Sequence, residues 1–166
     1  MPFLKFVILI GHGGVPADCP AELAGEFKRL QSAAKGMPSP RAAEIEARLR
    51  SWPRTEKNDP YKAGLEAVAA TLADALPEHR VLAAYNEFCS PTLEQAVEEA
   101  VKENACQITV ISTMYTRGGI HSEAEIPAEL KELRRKHPKV DIRYVWPFDL
   151  KAVAGLLARE VRRTEG

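Results

Sequence analysis

Four short runs of mostly β-branched and aliphatic residues, at positions 3–10, 80–86, 107–112 and 141–145, limit the fold of this chain more than any other feature. They are mostly apolar rather than alternating. Such runs suit strands covered on both faces. The stretches between them repeat apolar residues at helical spacing: Leu23, Phe27 and Leu30 within 21–34, Leu65, Val68 and Leu72 within 61–76, and Leu93, Val97 and Val101 within 91–104. Two more helices are expected at 123–137 and 150–163, and Ser90-Pro91 reads as an N-cap followed by proline in the first turn. Strands alternating with helices mean βαβ units, and therefore a three-layer αβα fold on a four-stranded parallel sheet.

One connection is too long for a simple crossover. Roughly 70 residues separate the first two strand runs, where one helix and two short turns would suffice. The sequence at 35–40, with Gly36, Pro38 and Pro40, breaks the first helix. A short helix is expected at 41–50, then an irregular polar loop at 52–61. The whole chain, 1–166, reads as a single domain in which 35–60 is an inserted helix and loop between the first two strands. A long loop with Trp52, Tyr61 and several cations suggests a lid over a site, a dimer contact, or a cover for one sheet edge.

Length and charge support one soluble domain. The chain has 166 residues, 45% of them hydrophobic, and Lys plus Arg equals Asp plus Glu at 23 each. That balance gives no global electrostatic case for nucleic acid or a membrane. Locally, Arg48, Arg50, Arg54 and Lys57 cluster, as do Arg159, Arg162 and Arg163; both groups are expected on solvated faces. The first apolar run is short and broken by Lys5, so it reads as a strand rather than a signal sequence. Cys19, Cys89 and Cys106 are scattered and form no CxxC, which points to a reducing, cytoplasmic setting and away from zinc ribbons or iron–sulfur clusters.

In parallel α/β sheets, ligands bind beyond the carboxyl ends of the strands. There the first run is followed by Gly11-His12-Gly13-Gly14, the second by Glu87, and the third by Gly118-Gly119-Ile120-His121-Ser122-Glu123. Two histidines and a glutamate from three different strands are thus expected at one sheet edge. Imidazole is a common metal ligand, and a carboxylate ending a buried strand is costly unless paired or metal-bound. Glu123 and Glu125 could add carboxylates. The GxGxxG spacing and the P-loop lysine are both absent. His79 and His137 fall in turns at the opposite edge and are expected at the surface.

These residues resemble a known family. Ile10-Gly11-His12-Gly13 looks like the Gly-His-Gly start of the small sirohydrochlorin cobalto- and ferrochelatases, the class II chelatases. Glu87-Phe88, then Ser90-Pro91-Thr92-Leu93, resembles their Glu-Phe…Pro-Ser-Leu segment. Gly118-Gly119-Ile120-His121 through Glu125-Ile126-Pro127 resembles their Gly-x-His-x-x-x-Asp-Ile-Pro motif. The resemblance implies a chelatase-like fold and a metal chelatase inserting Co2+ or Fe2+ (Ni2+ or Zn2+ being possible) into sirohydrochlorin or a related tetrapyrrole. It implies His12, His121 and Glu87 as metal-binding and proton-handling residues, no organic cofactor, and a homodimer. Substrate carboxylates want cations, and Arg54, Lys57, Lys62 and Arg117 are the candidates. The chain departs from the family at Gly14, where serine is frequent, at Glu125, where aspartate is usual, and in the 35–60 segment. A tetrapyrrole or metal carrier on the same fold is the alternative. A nucleophilic histidine is disfavoured because Ile10-Gly11, not arginine, precedes His12.

Overall fold

The computed structural model describes residues 4–33 and 39–166. The elements run β1 (Leu4–Gly11), α1 (Ala21–Ala33), α2 (Pro40–Arg50), α3 (Pro60–Ala75), β2 (His79–Tyr85), α4 (Leu93–Lys102) and β3 (Ala105–Ser112). A π-helical turn (His121–Glu125), α5 (Ile126–Lys136), β4 (Asp141–Val145) and α6 (Leu150–Glu165) complete the order. All four strands pair in parallel, in the order β2-β1-β3-β4. The expected α/β class and four-stranded parallel sheet are what the chain adopts. The helix break expected at 35–38 lies outside the described residues.

Strand order follows from burial. Phe6, Ile8 and Ile10 of β1 are fully buried on one face, against Leu93, Ala96, Val97 and Ala100 of α4 and Ile126, Leu130 and Leu133 of α5. On the other face Leu9 packs with Leu65 and Ala69 of α3, Tyr85 and Cys89. A strand buried on both faces belongs in the middle of the sheet, where β1 sits. A separate small core joins α1 to α2 through Leu23, Phe27, Ala42, Ile45 and Leu49, with Trp52 and Phe88 against it.

Helix starts reflect local chemistry. Ser39 caps α2 by accepting from the Ala42 amide, and Asp59 caps α3 by accepting from Lys62. For α4 the cap is Thr92, not Ser90. Thr92 and Gln95 form a reciprocal capping box, a Thr-x-x-Gln signal that outweighs the Ser-Pro pair. None of the residues of α6 is buried, although Leu150, Leu156, Leu157 and Val161 give it apolar side chains. No helix among the described residues is long and apolar enough to cross a membrane.

Candidate metal site

The sheet reverses its winding between β1 and β3: the chain goes from β1 outward to β2, then crosses to β3 on the other side. The carboxyl ends of these neighbouring strands open a crevice, the usual ligand position in such sheets. Register places Gly11 beside Tyr85 and Ile10 beside Ser112, so the residues following β1, β2 and β3 come together.

His12 follows β1 in a turn that two glycines make possible. A Cβ on Gly11 would lie 2.7 Å from Tyr61 Oη and 2.9 Å from Leu65 Cδ2. Gly13 has a φ of +94°, and a Cβ there would lie 2.0 Å from the Glu87 carbonyl oxygen. Gly13 therefore excludes a side chain, while one at Gly11 would require Tyr61 and Leu65 to shift. Gly14 has open space around its would-be Cβ, so the serine frequent in the resembled family would fit. The amides of Asn86 and Glu87 donate to the Gly11 and His12 carbonyls at 2.9 and 2.7 Å, which continues the β1–β2 pairing past the sheet and brings Glu87 beside His12.

His121 arrives from the other side. It opens a π-helical turn in which the Ile126 amide donates to the His121 carbonyl. The Ser122 carbonyl, which Ile126 would serve in an α-helix, instead accepts from Tyr144 Oη at 3.0 Å. Ser122 Oγ donates to the Met114 carbonyl at 3.0 Å. Buried Ser122 therefore ties the turn to the ends of β3 and β4, and its neighbour His121 faces the crevice. Such π-turns recur at functional sites.

The three side chains converge. His12 Nδ1 is 3.8 Å from Glu87 Oε2, and His121 Nε2 is 4.0 Å from Glu87 Oε1. The imidazoles meet edge to face, with centroids 4.7 Å apart. One ligand atom from each of His12, Glu87 and His121 lies within 4.8 Å of the others. Two imidazoles and a carboxylate form a donor set suited to first-row divalent metals, and three ligands leave coordination positions open.

Behind His121, Nδ1 is 2.5 Å from Glu125 Oε2 and 2.7 Å from Asn86 Nδ2. A carboxylate so close accepts a hydrogen bond from Nδ1–H, which keeps the proton on Nδ1 and leaves the Nε2 lone pair facing Glu87. Burial pushes the Glu125 carboxyl up, but the hydrogen bonds with His121 and Asn86 outweigh it and hold the group below its ordinary value. Glu125 thus orients a histidine, while Glu123 is exposed. Asn86 escaped the sequence reading; a strand-terminal asparagine carries no signal of its own.

The four cations expected to meet substrate do not share one environment. Lys57 and Arg117 are exposed, and Lys62 pairs with Glu66 and lies over the Tyr85 ring. Arg54 lies apart from the other three: its side chain is only 6% exposed. It pairs with buried Asp59 and donates to the carbonyls of Gly14, Leu49 and Phe88. A guanidinium so engaged has none of its terminal N–H groups left for a substrate carboxylate. Nor is the first basic cluster a solvated face: Arg50 donates to the Cys89 and Asn86 carbonyls at 2.6 and 3.1 Å, and only Arg48 and Lys57 of the four are exposed. His137 is also not a free surface residue; its side chain is 13% exposed and its Nε2 is 2.9 Å from Glu98. His79 is half-buried, with Nδ1 unpartnered. Burial pushes the Cys89 thiol up, which keeps it from acting as a ready nucleophile.

A stretch of 79 residues, 47% of the chain, is 25% identical to the sirohydrochlorin ferrochelatase of Priestia megaterium, over 29% of that protein's length. The chain thus matches less than a third of this curated relative. The CbiX protein of Marinobacter aquaeolei VT8 shares the fold, with a TM-score of 0.52 at 21% identity over 99% of this chain and 95% of that one. The sirohydrochlorin chelatase SirB of Bacillus subtilis subspecies spizizenii, solved with cobalt, aligns over 86% of this chain and 42% of its own, with 17% identity and a TM-score of 0.47. The family model CbiX matches residues 56–164, and the chain belongs to the CbiX family.

Proposed function

We propose that this chain is a metal chelatase that inserts a divalent metal, Co2+ or Fe2+, into sirohydrochlorin or a related tetrapyrrole. The observation that carries the reading is the meeting of His12, Glu87 and His121 at the crevice between β1 and β3, in a member of the CbiX family. The relative in Priestia megaterium, a sirohydrochlorin ferrochelatase, supplies the substrate class. The metal is a substrate here, so the site must hold it loosely. Two imidazoles and one carboxylate bind first-row metals exchangeably and leave positions for the macrocycle nitrogens. Insertion also removes two pyrrole protons, and Glu87 or one of the imidazoles accepts them as general base. Lys57, Lys62 and Arg117 remain the candidates for substrate carboxylates.

In this reading the 166 residues work as one chelatase-like unit, in the cytoplasm, as a homodimer. Support for the dimer comes from α6, which carries Leu150, Leu156, Leu157 and Val161 exposed. A second copy would cover them.

The test is an anaerobic absorbance assay of the purified chain with sirohydrochlorin and Co2+ or Fe2+, against an enzyme-free blank. A saturable rate above blank, lost in both His12→Ala and His121→Ala while the fold survives, supports the chelatase. Retained insertion in both variants overturns the assigned site. A spectral shift without turnover replaces the chelatase by a carrier on the same fold.

A further inference from the structure

The 39–61 stretch touches the proposed site, but from behind. The loops at 12–14 and 86–89 carry two of the three site residues, and their backbone polar groups are gripped from that stretch. Tyr61 Oη accepts from the His12 amide at 2.8 Å. Arg54 Nη1 donates to the Gly14 carbonyl at 2.7 Å and to Asp59; its Nη2 donates to the carbonyls of Leu49 and Phe88. Those four bonds use all four terminal hydrogens of the guanidinium. Arg50 spans the second loop, donating to the carbonyls of Asn86 and Cys89 on either side of Glu87 and Phe88.

The grip has a fixed footing. Asp59 is 3% exposed; one of its oxygens caps α3 and the other holds Arg54. Trp52 Nε1 and Asn58 Nδ2 donate to Asp18, and the Asn58 carbonyl accepts from the Ala17 amide at 2.8 Å, which fastens the chain just past the glycine turn. Phe88, beside Glu87, takes a left-handed φ of 56°. L-residues resist that conformation unless their surroundings impose it. Here Arg54 holds its carbonyl, and its ring packs on Phe27 of α1.

We propose that Arg50, Arg54 and Tyr61 are positioning residues that hold the His12 and Glu87 loops at ligand distance, so that these three residues of the 39–61 stretch brace the metal site rather than clamp substrate. The inference rests on the reading of His12, Glu87 and His121 as the metal site. A lysine at position 54 keeps the charge but loses the planar fork that reaches several carbonyls at once. The two roles open to Arg54 therefore predict different outcomes. A substrate clamp would be rescued by lysine; a brace would not.

The experiment compares the wild-type chain with Tyr61→Phe, Arg50→Lys and Arg54→Lys. It uses Co2+ titration by absorbance, sirohydrochlorin KM and kcat, and hydrogen exchange at 11–14 and 86–89. Arg54 is buried, whereas Tyr61→Phe and Arg50→Lys alter more accessible side chains and keep the test alive even where Arg54→Lys fails to fold. The brace predicts that each folded variant exchanges faster at both loops and binds Co2+ about tenfold more weakly, the scale set by outer partners of metal ligands, with KM for sirohydrochlorin changed less than Co2+ affinity. Unchanged Co2+ affinity in the variants overturns the brace. So does a raised sirohydrochlorin KM with Co2+ affinity intact, which would return Arg54 to the substrate. If the wild-type chain binds no Co2+, or His121→Ala binds it equally well, the metal-site reading itself falls and the brace with it.

Discussion

His121 and Glu125, four residues apart across a π-helical turn, are joined by a 2.5 Å contact between Nδ1 and the carboxylate. The contact decides which nitrogen of His121 faces the crevice. Glu125→Gln removes the charge but keeps the shape, and an amide no longer demands the Nδ1 proton. Co2+ affinity and insertion rate should each fall on the order of 10-fold, with the melting temperature little changed. Titration and initial-rate assays check this; an unaltered rate would free Glu125 of any role in orienting His121.

The glycine turn gives a sharper contrast. Gly13→Ala places a Cβ against the Glu87 carbonyl in a left-handed backbone. It should cost more than about 1 kcal/mol of stability and abolish metal binding, because the clash lies between two site residues. Gly14→Ser, one residue on, has open space and should stay within about 0.5 kcal/mol of wild type. Denaturant unfolding of the two variants decides between them.

Burial raises the Glu129 carboxyl above its ordinary value of 4.5, although it accepts a hydrogen bond from the Glu94 amide. The folded chain therefore binds this proton more tightly than the unfolded chain. The contribution is fully present below the ordinary value and is lost as pH rises through the folded value. Glu129→Gln keeps the acceptor and removes the charge. It should melt higher than wild type near pH 7, with the gap closing below pH 4.5. Paired thermal scans give the sign directly; a gap that widens on acidification would refute it.

Leu130 is fully buried between α5 and the sheet. Leu130→Ala should destabilise by about 2–5 kcal/mol, where Val68→Ala on the 52% exposed side of α3 should be nearly silent. Chemical denaturation measures both.

The exposed apolar side chains of α6 make the dimer testable. Leu157→Asp, at a position 48% exposed, should leave the folded protomer intact and shift the sedimenting species from dimer to monomer. A wild-type chain that sediments as a monomer throughout would end the homodimer reading.

The sheet was legible because burial on both faces writes mostly apolar runs, and these gave the strands to within two residues at every end. His12, Glu87 and His121 could be grouped because parallel strands bring their carboxyl ends to one edge whatever lies between. Three things escaped the reading. Thr92 lost to the neighbouring Ser90-Pro91 because two capping signals overlapped. Asn86 serves through geometry that no spacing announces. Arg50 and Arg54 were read as surface charge, and Arg54 also as a contact for substrate carboxylates, because most of their partners are main-chain carbonyls, which every residue type presents alike.

That last property has a consequence for redesign. Although Arg54 is anchored on Asp59 and Arg50 on Glu46, both guanidinium groups hold the 12–14 and 86–89 turns through carbonyl oxygens alone, and so are indifferent to the side chains mounted on those turns. The turns at 12 and 87 form a socket whose donors can be exchanged, histidine for cysteine or glutamate for histidine, without touching these bonds. If the proposed site holds metal, its preference is open to alteration one plug at a time.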